Sequence, residues 1–297
     1  MAILTGINTR MRGSAGDWTF SRQGGKTVAK QKIEVKSTPT RSYAQMKRRV
    51  QWANLVNLYR AFGGKLKPSF EGSEEGVPDF NEFVGANIGS SNIYLTKDQA
   101  RQGGCVVTDY MITRGTLPAI GTSEEGGVIV TDLSLGGLTL SDSTTIKEFS
   151  NALVQNNEDF ELGDQLTCFV TKQVSNATTG VPYVKVSAKE VILSDSTEGL
   201  WSTVTAVGFS DVNGKLGMNG AVEGAVAWVH SRRVDGETKV STESLHATSS
   251  LRSSYNTEAA LAAAILSYGG TNKEEYLTPN PTEELAATEE GGEDQNP

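Results

Sequence analysis

Two histidines, His230 and His246, and two cysteines, Cys105 and Cys168, are the chain's whole supply of imidazole and thiol. A serine hydrolase needs a histidine beside a serine on a strained turn, and the G-x-S-x-G pattern that marks such a turn does not occur. Both histidines fall near the ends of alternating apolar stretches, where an exposed or half-buried strand position is expected. Zinc needs cysteines and histidines clustered at short spacing, which two distant cysteines do not supply. The same separation argues against a disulfide framework, so both thiols are expected in buried strands. Asp211-Val212-Asn213-Gly214 is too short for an EF-hand loop and reads as a turn. Gly24-Gly25-Lys26-Thr27 resembles the end of a phosphate loop but lacks the first glycine at its offset, which leaves a hairpin turn. A glycosidase needs only two carboxylates brought together in space, which no spacing rule reveals. The expectation is no enzyme, no cofactor and no metal.

What the chain has in quantity is charge, and it is unevenly placed. Residues 1–67 carry 14 Lys and Arg against 2 acids, residues 68–270 carry 12 against 25, and residues 271–297 carry 1 against 8. The formal net charge of −8 therefore hides a basic start, an acidic body and an acidic end. Arg10, Arg12, Arg22, Lys26, Lys30, Lys32, Lys36, Arg41, Lys47, Arg48 and Arg49, with Trp18, Phe20 and Trp52 among them, have the types that neutralise phosphates and stack on bases. Lysines on alternate strand positions equally protect a sheet edge from aggregation. A third reading sets the positive arm against the negative body of an adjacent subunit, which would give a ring its register. The charge split favours the third.

The elements that must carry these residues are legible as periodicities. Asp17–Arg22 and Lys26–Val35 alternate around Gln23-Gly24-Gly25, a hairpin pattern. Ser37-Thr38-Pro39 breaks the strand, Thr40 or Ser42 caps a helix to about Phe62, and Gly63-Gly64 ends it. A link over residues 71–78 precedes a short helix or turn at Phe80, Phe83 and Val84. A strand is expected at Cys105–Thr113, a loop at Glu124–Gly127 and a strand at Val128–Thr131. A helix capped by Ser143 or Thr144 should bury Ile146, Phe149 and Leu153. Further strands are expected at Leu166–Val174, Tyr183–Leu193, Trp201–Val207 and Gly224–Arg232. A hairpin joins Ala225–Val234 to Thr238–Leu245, and a last helix runs from Asn256 or Thr257 to Tyr268. The fold class is mostly β with a few helices, α+β, with a β-sandwich or open-barrel body.

Several of these features carry a family likeness. Gly6-Ile7-Asn8 and Gly13-Ser14-Ala15-Gly16 open the chain, Ser37-Thr38-Pro39-Thr40 stands before the helix, and Phe80-Asn81-Glu82-Phe83-Val84-Gly85-Ala86-Asn87 follows it. The chain resembles a family of uncharacterised proteins of Bacteroidota and their phages, including crAss-like phages. Those proteins open with a glycine-rich strand, a Pro-Thr helix cap and an F-N-E/D-F-V element. The closing hairpin from Ala227 to Glu237 resembles the end of such proteins. The likeness covers residues 1–90 and 160–245; the cap here reads S-T-P-T in place of N-P-R-T, and the tail has no counterpart. It implies a phage structural role and carries over no catalytic residue.

The chain divides into a basic hairpin-and-helix arm (1–67), a mixed linking region (68–160), a sandwich-like region (161–250), a helix (251–270) and an acidic tail (271–297). The expected function is a non-enzymatic virion protein, a portal-proximal ring, collar or tail-connector subunit binding copies of itself and other virion proteins. The alternatives are DNA contact through the basic arm and a capsid-exterior or host-surface recognition module. No secretory leader and no membrane span of about 20 apolar residues is seen, which points to synthesis in a host cytoplasm and residence in the virion.

Overall fold

A computed structural model describes residues 2–4, 12–23, 26–32, 42–66, 69–71, 78–218, 220 and 222–269. The Gly24-Gly25 turn, the Ser37-Thr38-Pro39 break, most of the 71–78 link and the acidic tail lie outside them. Along the chain run β1 (Ala2–Leu4), β2 (Gly13–Ala15), β3 (Trp18–Gln23), β4 (Lys26–Gln31), α1 (Tyr43–Phe62), α2 (Asp79–Asn87) and α3 (Lys97–Arg101). Then come β5 (Met111–Thr113), β6 (Thr122–Glu125), β7 (Val128–Ser134), α4 (Ile146–Asn156), β8 (Gln165–Ser175), β9 (Pro182–Ile192), β10 (Ser210–Val212) and β11 (Lys215–Gly217). The chain continues through β12 (Gly224–Val234), β13 (Glu237–Val240), β14 (Glu243–Ser244), β15 (His246–Ala247), α5 (Arg252–Tyr255) and α6 (Glu258–Ser267). The class is the expected one, β-rich α+β with antiparallel sheets.

The centre is a five-stranded sheet in the order β13-β12-β8-β9, with β15 also paired to β12. β12 is buried on both faces over Gly224–His230, and β8 adds Leu166 and Cys168 to one of them and Phe169 to the other, so the sheet must be covered twice. Val226 and Trp228 join Leu166 and Cys168 on one side, in a cluster with Phe149 and Leu153 of α4, Ile129 of β7 and Leu216 of β11. Ala225, Ala227 and Val229 join Phe169 on the other, against Leu55, Leu58 and Phe62 of α1 and Phe83 of α2. The second sheet, β10-β11-β7-β6, thus shares one core with the first, and α1 lies in the other core as part of the body. Trp228 is fully buried and donates its indole N–H to the Gly208 carbonyl at 2.8 Å. Gly208 is glycine because a Cβ there would collide with the Cys168 thiol.

Local chemistry sets the ends of the elements. Ser42 and Gln45 form a reciprocal capping box on α1, and Gly63 closes it at φ 58°. Asp235-Gly236 and Asn213-Gly214 both place two successive residues at positive φ, the conformation of a tight two-residue hairpin turn. Five expectations about the elements need correction. The strand expected over Thr238–Leu245 stops as β13 at Val240, and β14 pairs with β5 in place of β12. Helix α4 is capped by Thr145 with Glu148, one residue beyond the expected Thr144. Glu124-Glu125 belongs to β6, and Gly126-Gly127 is the turn of a hairpin with β7. Of Cys105–Thr113 only Met111–Thr113 is strand. Trp201–Val207 is not a strand; it opens on a 3₁₀ turn at Leu200–Ser202, where the Trp201 indole donates to the Ser141 carbonyl at 2.8 Å.

The 105–107 segment explains why periodicity misled. Its apolar residues are buried, but side-chain amides take the place of a neighbouring strand. Asn54 of α1 donates to the Val106 carbonyl at 3.0 Å and accepts the Val106 N–H at 2.9 Å. Gln173 of β8 accepts the Val107 N–H at 3.0 Å and donates to the Cys105 carbonyl at 3.1 Å. Asn57 reaches the carbonyls of Ala100 and Gly104, each at 2.8 Å. These amides satisfy backbone groups that burial would otherwise leave orphaned. Asn54→Ala leaves two buried backbone groups unpaired and should cost about 2–4 kcal/mol. Calorimetry should show that loss, while Asn81→Ala on the exposed side of α2 should leave the melting temperature near its starting value.

Candidate functional site

The described titratable groups that the fold brings together inside the body centre on Asp164. Its carboxylate accepts from the His230 ring at Nε2 (2.8 Å) and from Arg232 at Nε (2.6 Å) and Nη2 (2.7 Å). The fork from Arg232 is the strong bidentate form of a charge-assisted pair. His230 is fully buried, a correction to the exposed or half-buried position expected, and stacks on Phe160 with ring centres 4.1 Å apart. The hydrogen bond to Asp164 puts the ring proton on Nε2; Nδ1 has no hydrogen-bond partner among the described residues. Ser241, also buried, accepts the backbone N–H of His230 and not a ring proton. The histidine therefore pins the start of β8 to β12 and has no exposed nucleophile at its ring. Burial alone raises the Asp164 carboxyl, but Arg232, His230 and the Glu161 N–H outweigh it and hold the group well below the usual range.

Glu243 is a second buried carboxyl of opposite behaviour. It accepts the Ile120 N–H at 2.7 Å, and burial pushes it up to about 7, with Asp132 adding to the rise against bonds from Ile120 and Ser241. Both cysteines are buried. Cys168 lies in β8 as expected, and Cys105 lies outside any strand. Desolvation raises both thiols, Cys105 to about 12, so neither is poised as a nucleophile.

The predicted basic residues are scattered more than expected. Arg10, Lys36 and Arg41 lie outside the described residues, and of Arg22 only the β3 backbone is described. Arg12 precedes β2, Lys26 and Lys30 lie in β4, and Lys32 follows it; all four side chains are exposed. The register pairs Trp18 with Gln31 and Thr19 with Lys30, which puts Trp18, 47% exposed, on the face opposite to Lys30 and Lys26. Lys47, half-buried, and Arg48, exposed, lie on α1, where Arg48 donates to the Ile88 carbonyl at 2.7 Å.

Arg49 is the predicted residue that the fold sets in a constellation. It lines an open cleft of about 500 Å³ between α1, α3 and the end of α6, together with Trp52, Arg60, Lys97, Arg101 and Tyr268. Positions 49, 52, 56 and 60 share one face of α1 by helical spacing, and 97 and 101 share one face of α3. The walls are fixed from behind. Asn57 ties α1 to the end of α3, and the Lys97 N–H donates to Ser267 Oγ of α6 at 2.9 Å. The Arg49 guanidinium lies 5.8 Å from the centre of the Tyr268 ring, a cation–π distance. Burial raises the Tyr268 hydroxyl, while Arg49 and Arg101 pull it down. Trp52 is 48% exposed and meets Phe80 edge-on at 6.4 Å. None of Arg49, Arg60, Lys97 and Arg101 forms an ion pair with a described carboxylate. The end of α6 offsets part of their charge through its terminal carbonyls. The remainder faces water, which suits an anion carrying some apolar surface.

Sequence reading missed Arg60, Lys97, Arg101 and Tyr268. The three-and-four spacing from Arg49 to Arg60 was visible along α1, but nothing local in sequence brings α3 and Tyr268 to that face. No protein-family model, no curated protein and no solved structure matches the chain. Among the described residues, no helix is long and apolar enough to cross a membrane.

The two buried carboxyls predict opposite pH effects. Asp164 is depressed in the folded state, so its stabilisation is present above the unfolded value of about 3.9 and drains away as pH falls. Asp164→Ala should cost about 3 kcal/mol at neutral pH, the low end for a broken buried pair because Arg232 keeps some water. Glu243 holds its proton to about 7 when folded, against about 4.3 unfolded, so its contribution falls as pH rises through that window. Melting curves between pH 5 and 8 should show wild type losing stability with rising pH, and Glu243→Gln losing less.

Proposed function

We propose that the chain is a non-enzymatic structural protein of a tailed, crAss-like phage particle, a subunit of a portal-proximal ring, collar or tail connector. In this reading it engages its neighbours by electrostatic complementarity, holding an acidic surface of an adjacent virion subunit in the cleft between α1, α3 and α6. The observation that carries the reading is the set of four cations around Trp52 and Tyr268, none in an ion pair with a described carboxylate. Unlike surfaces on one subunit, basic here and acidic over most of the remaining body, are what a head-to-tail cyclic contact requires. The likeness of residues 1–90 and 160–245 to phage proteins supports the same setting. Burial of His230 and both thiols supports a binding role over catalysis.

One observation favours a second reading. An exposed indole flanked by arginines is also how proteins hold single-stranded nucleic acid, the ring stacking on a base while the cations follow the phosphates. The particle would then use the cleft on its genome.

Light scattering of the purified full chain across a salt series separates the two. A defined oligomer at low salt that dissociates at high salt, and fails to form in Arg49→Glu with Arg60→Glu, is the expected result. Circular dichroism should show that variant folded. A salt-independent monomer that binds an oligothymidine through the same arginines would replace the subunit contact with the nucleic-acid reading. A monomer that binds neither would overturn both.

A further inference from the structure

The cleft stands directly beside the point where the acidic end of the chain begins. Tyr268 lines it, Gly269 follows at φ 79°, and the sequence then places Glu274-Glu275 six and seven residues beyond Tyr268. Six residues span at most about 20 Å when extended, enough to carry those carboxylates to any of the four cations around the cleft. Residues 271–297 hold eight acids against one lysine, with the acids in adjacent pairs: Glu274-Glu275, Glu283-Glu284, Glu289-Glu290 and Glu293-Asp294. Tyr276-Leu277 follows the first pair directly, an apolar dipeptide of a size to lie on Trp52. Charge, apolar content and tether length match this cleft.

We propose that the occupant of the cleft is the chain's own acidic C-terminal segment, starting with Glu274-Glu275, which shields the cations until a neighbouring acidic surface displaces it. This rests on the cleft being the anion contact argued above. The choice of the same chain over a neighbour's tail follows from tether length. A short link from the cleft wall gives a local concentration in the millimolar range, which a second copy matches only in a crowded assembly. The segment is then a built-in competitor. Free subunits keep their basic face covered, and binding a partner releases the tail.

The test compares the full chain with a chain ending at Gly269, using fluorescein-labelled poly-glutamate as the probe. Removing the tail should strengthen probe binding about tenfold or more at low salt. A synthetic peptide of residues 271–290 should reverse the gain, and the gain should vanish in Arg49→Glu with Arg60→Glu. Equal affinity of full and shortened chains would overturn the shielding while leaving the cleft an anion contact. No binding by either chain would overturn the cleft reading and the shielding with it. Carbodiimide coupling of a mixture of ¹⁵N-labelled and unlabelled full chains then identifies the source. Crosslinks from Lys97 to tail glutamates within light–light and heavy–heavy pairs alone support the same chain; mixed pairs overturn it in favour of a neighbour's tail.

Discussion

A strand that is apolar on both sides cannot sit at the surface of anything, and β12 is such a strand. Trp228 and Val226 need one cover, Ala227 and Val229 another, and the rest of the architecture answers that demand. Helix α4 and the smaller sheet close one face, and α1 with α2 closes the other. The small residues matter as much as the large ones. A side chain at Gly224 would strike the Thr171 carbonyl, so the strand must be bare there to pair with β8 at all. At the opposite end of the pairing, Asp164 and Arg232 secure the register with charge where apolar packing runs out.

Most of this was legible where periodicity and turn chemistry agreed. β8, β9 and β12, the Asp235-Gly236 turn, the Ser42 cap and Gly63 all announce themselves within a few residues. The failures share one cause. Cys105–Val107 is apolar and Trp201–Val207 mixes apolar with β-branched residues, so both have strand composition. The backbone of the first is paired by the amides of Asn54 and Gln173, and the second turns where the Trp201 indole is held by the Ser141 carbonyl, partners that a sequence window does not contain. His230 was misjudged for a related reason. Its burial depends on a carboxylate 66 positions earlier, which only the β8–β12 register brings alongside.

Charge was legible in total and obscure in arrangement. The imbalance of the first 67 residues is plain, but treating it as one arm joined residues that the fold keeps apart. Lys30 and Trp18 occupy opposite faces of a small sheet, while Arg49 meets partners contributed from more than 45 positions away. The cleft exists because α3 is strapped to α1 by Asn57 and to α6 by Ser267, neutral residues that no charge count would select. Electrostatic potential here is a product of packing.

The place of β12 in the chain also governs when the molecule can come into being. Residues 165–172 wait for 224–231, so neither cover of the central sheet has its full footing until more than two thirds of the polypeptide has been synthesised. Pairings over such separations are slow to nucleate, because loop-closure entropy must be met before any contact rewards it. During that interval the β8–β9 hairpin presents two unsatisfied apolar faces to its surroundings. Products ending before Gly224 would keep them so, and they would be natural clients for chaperones.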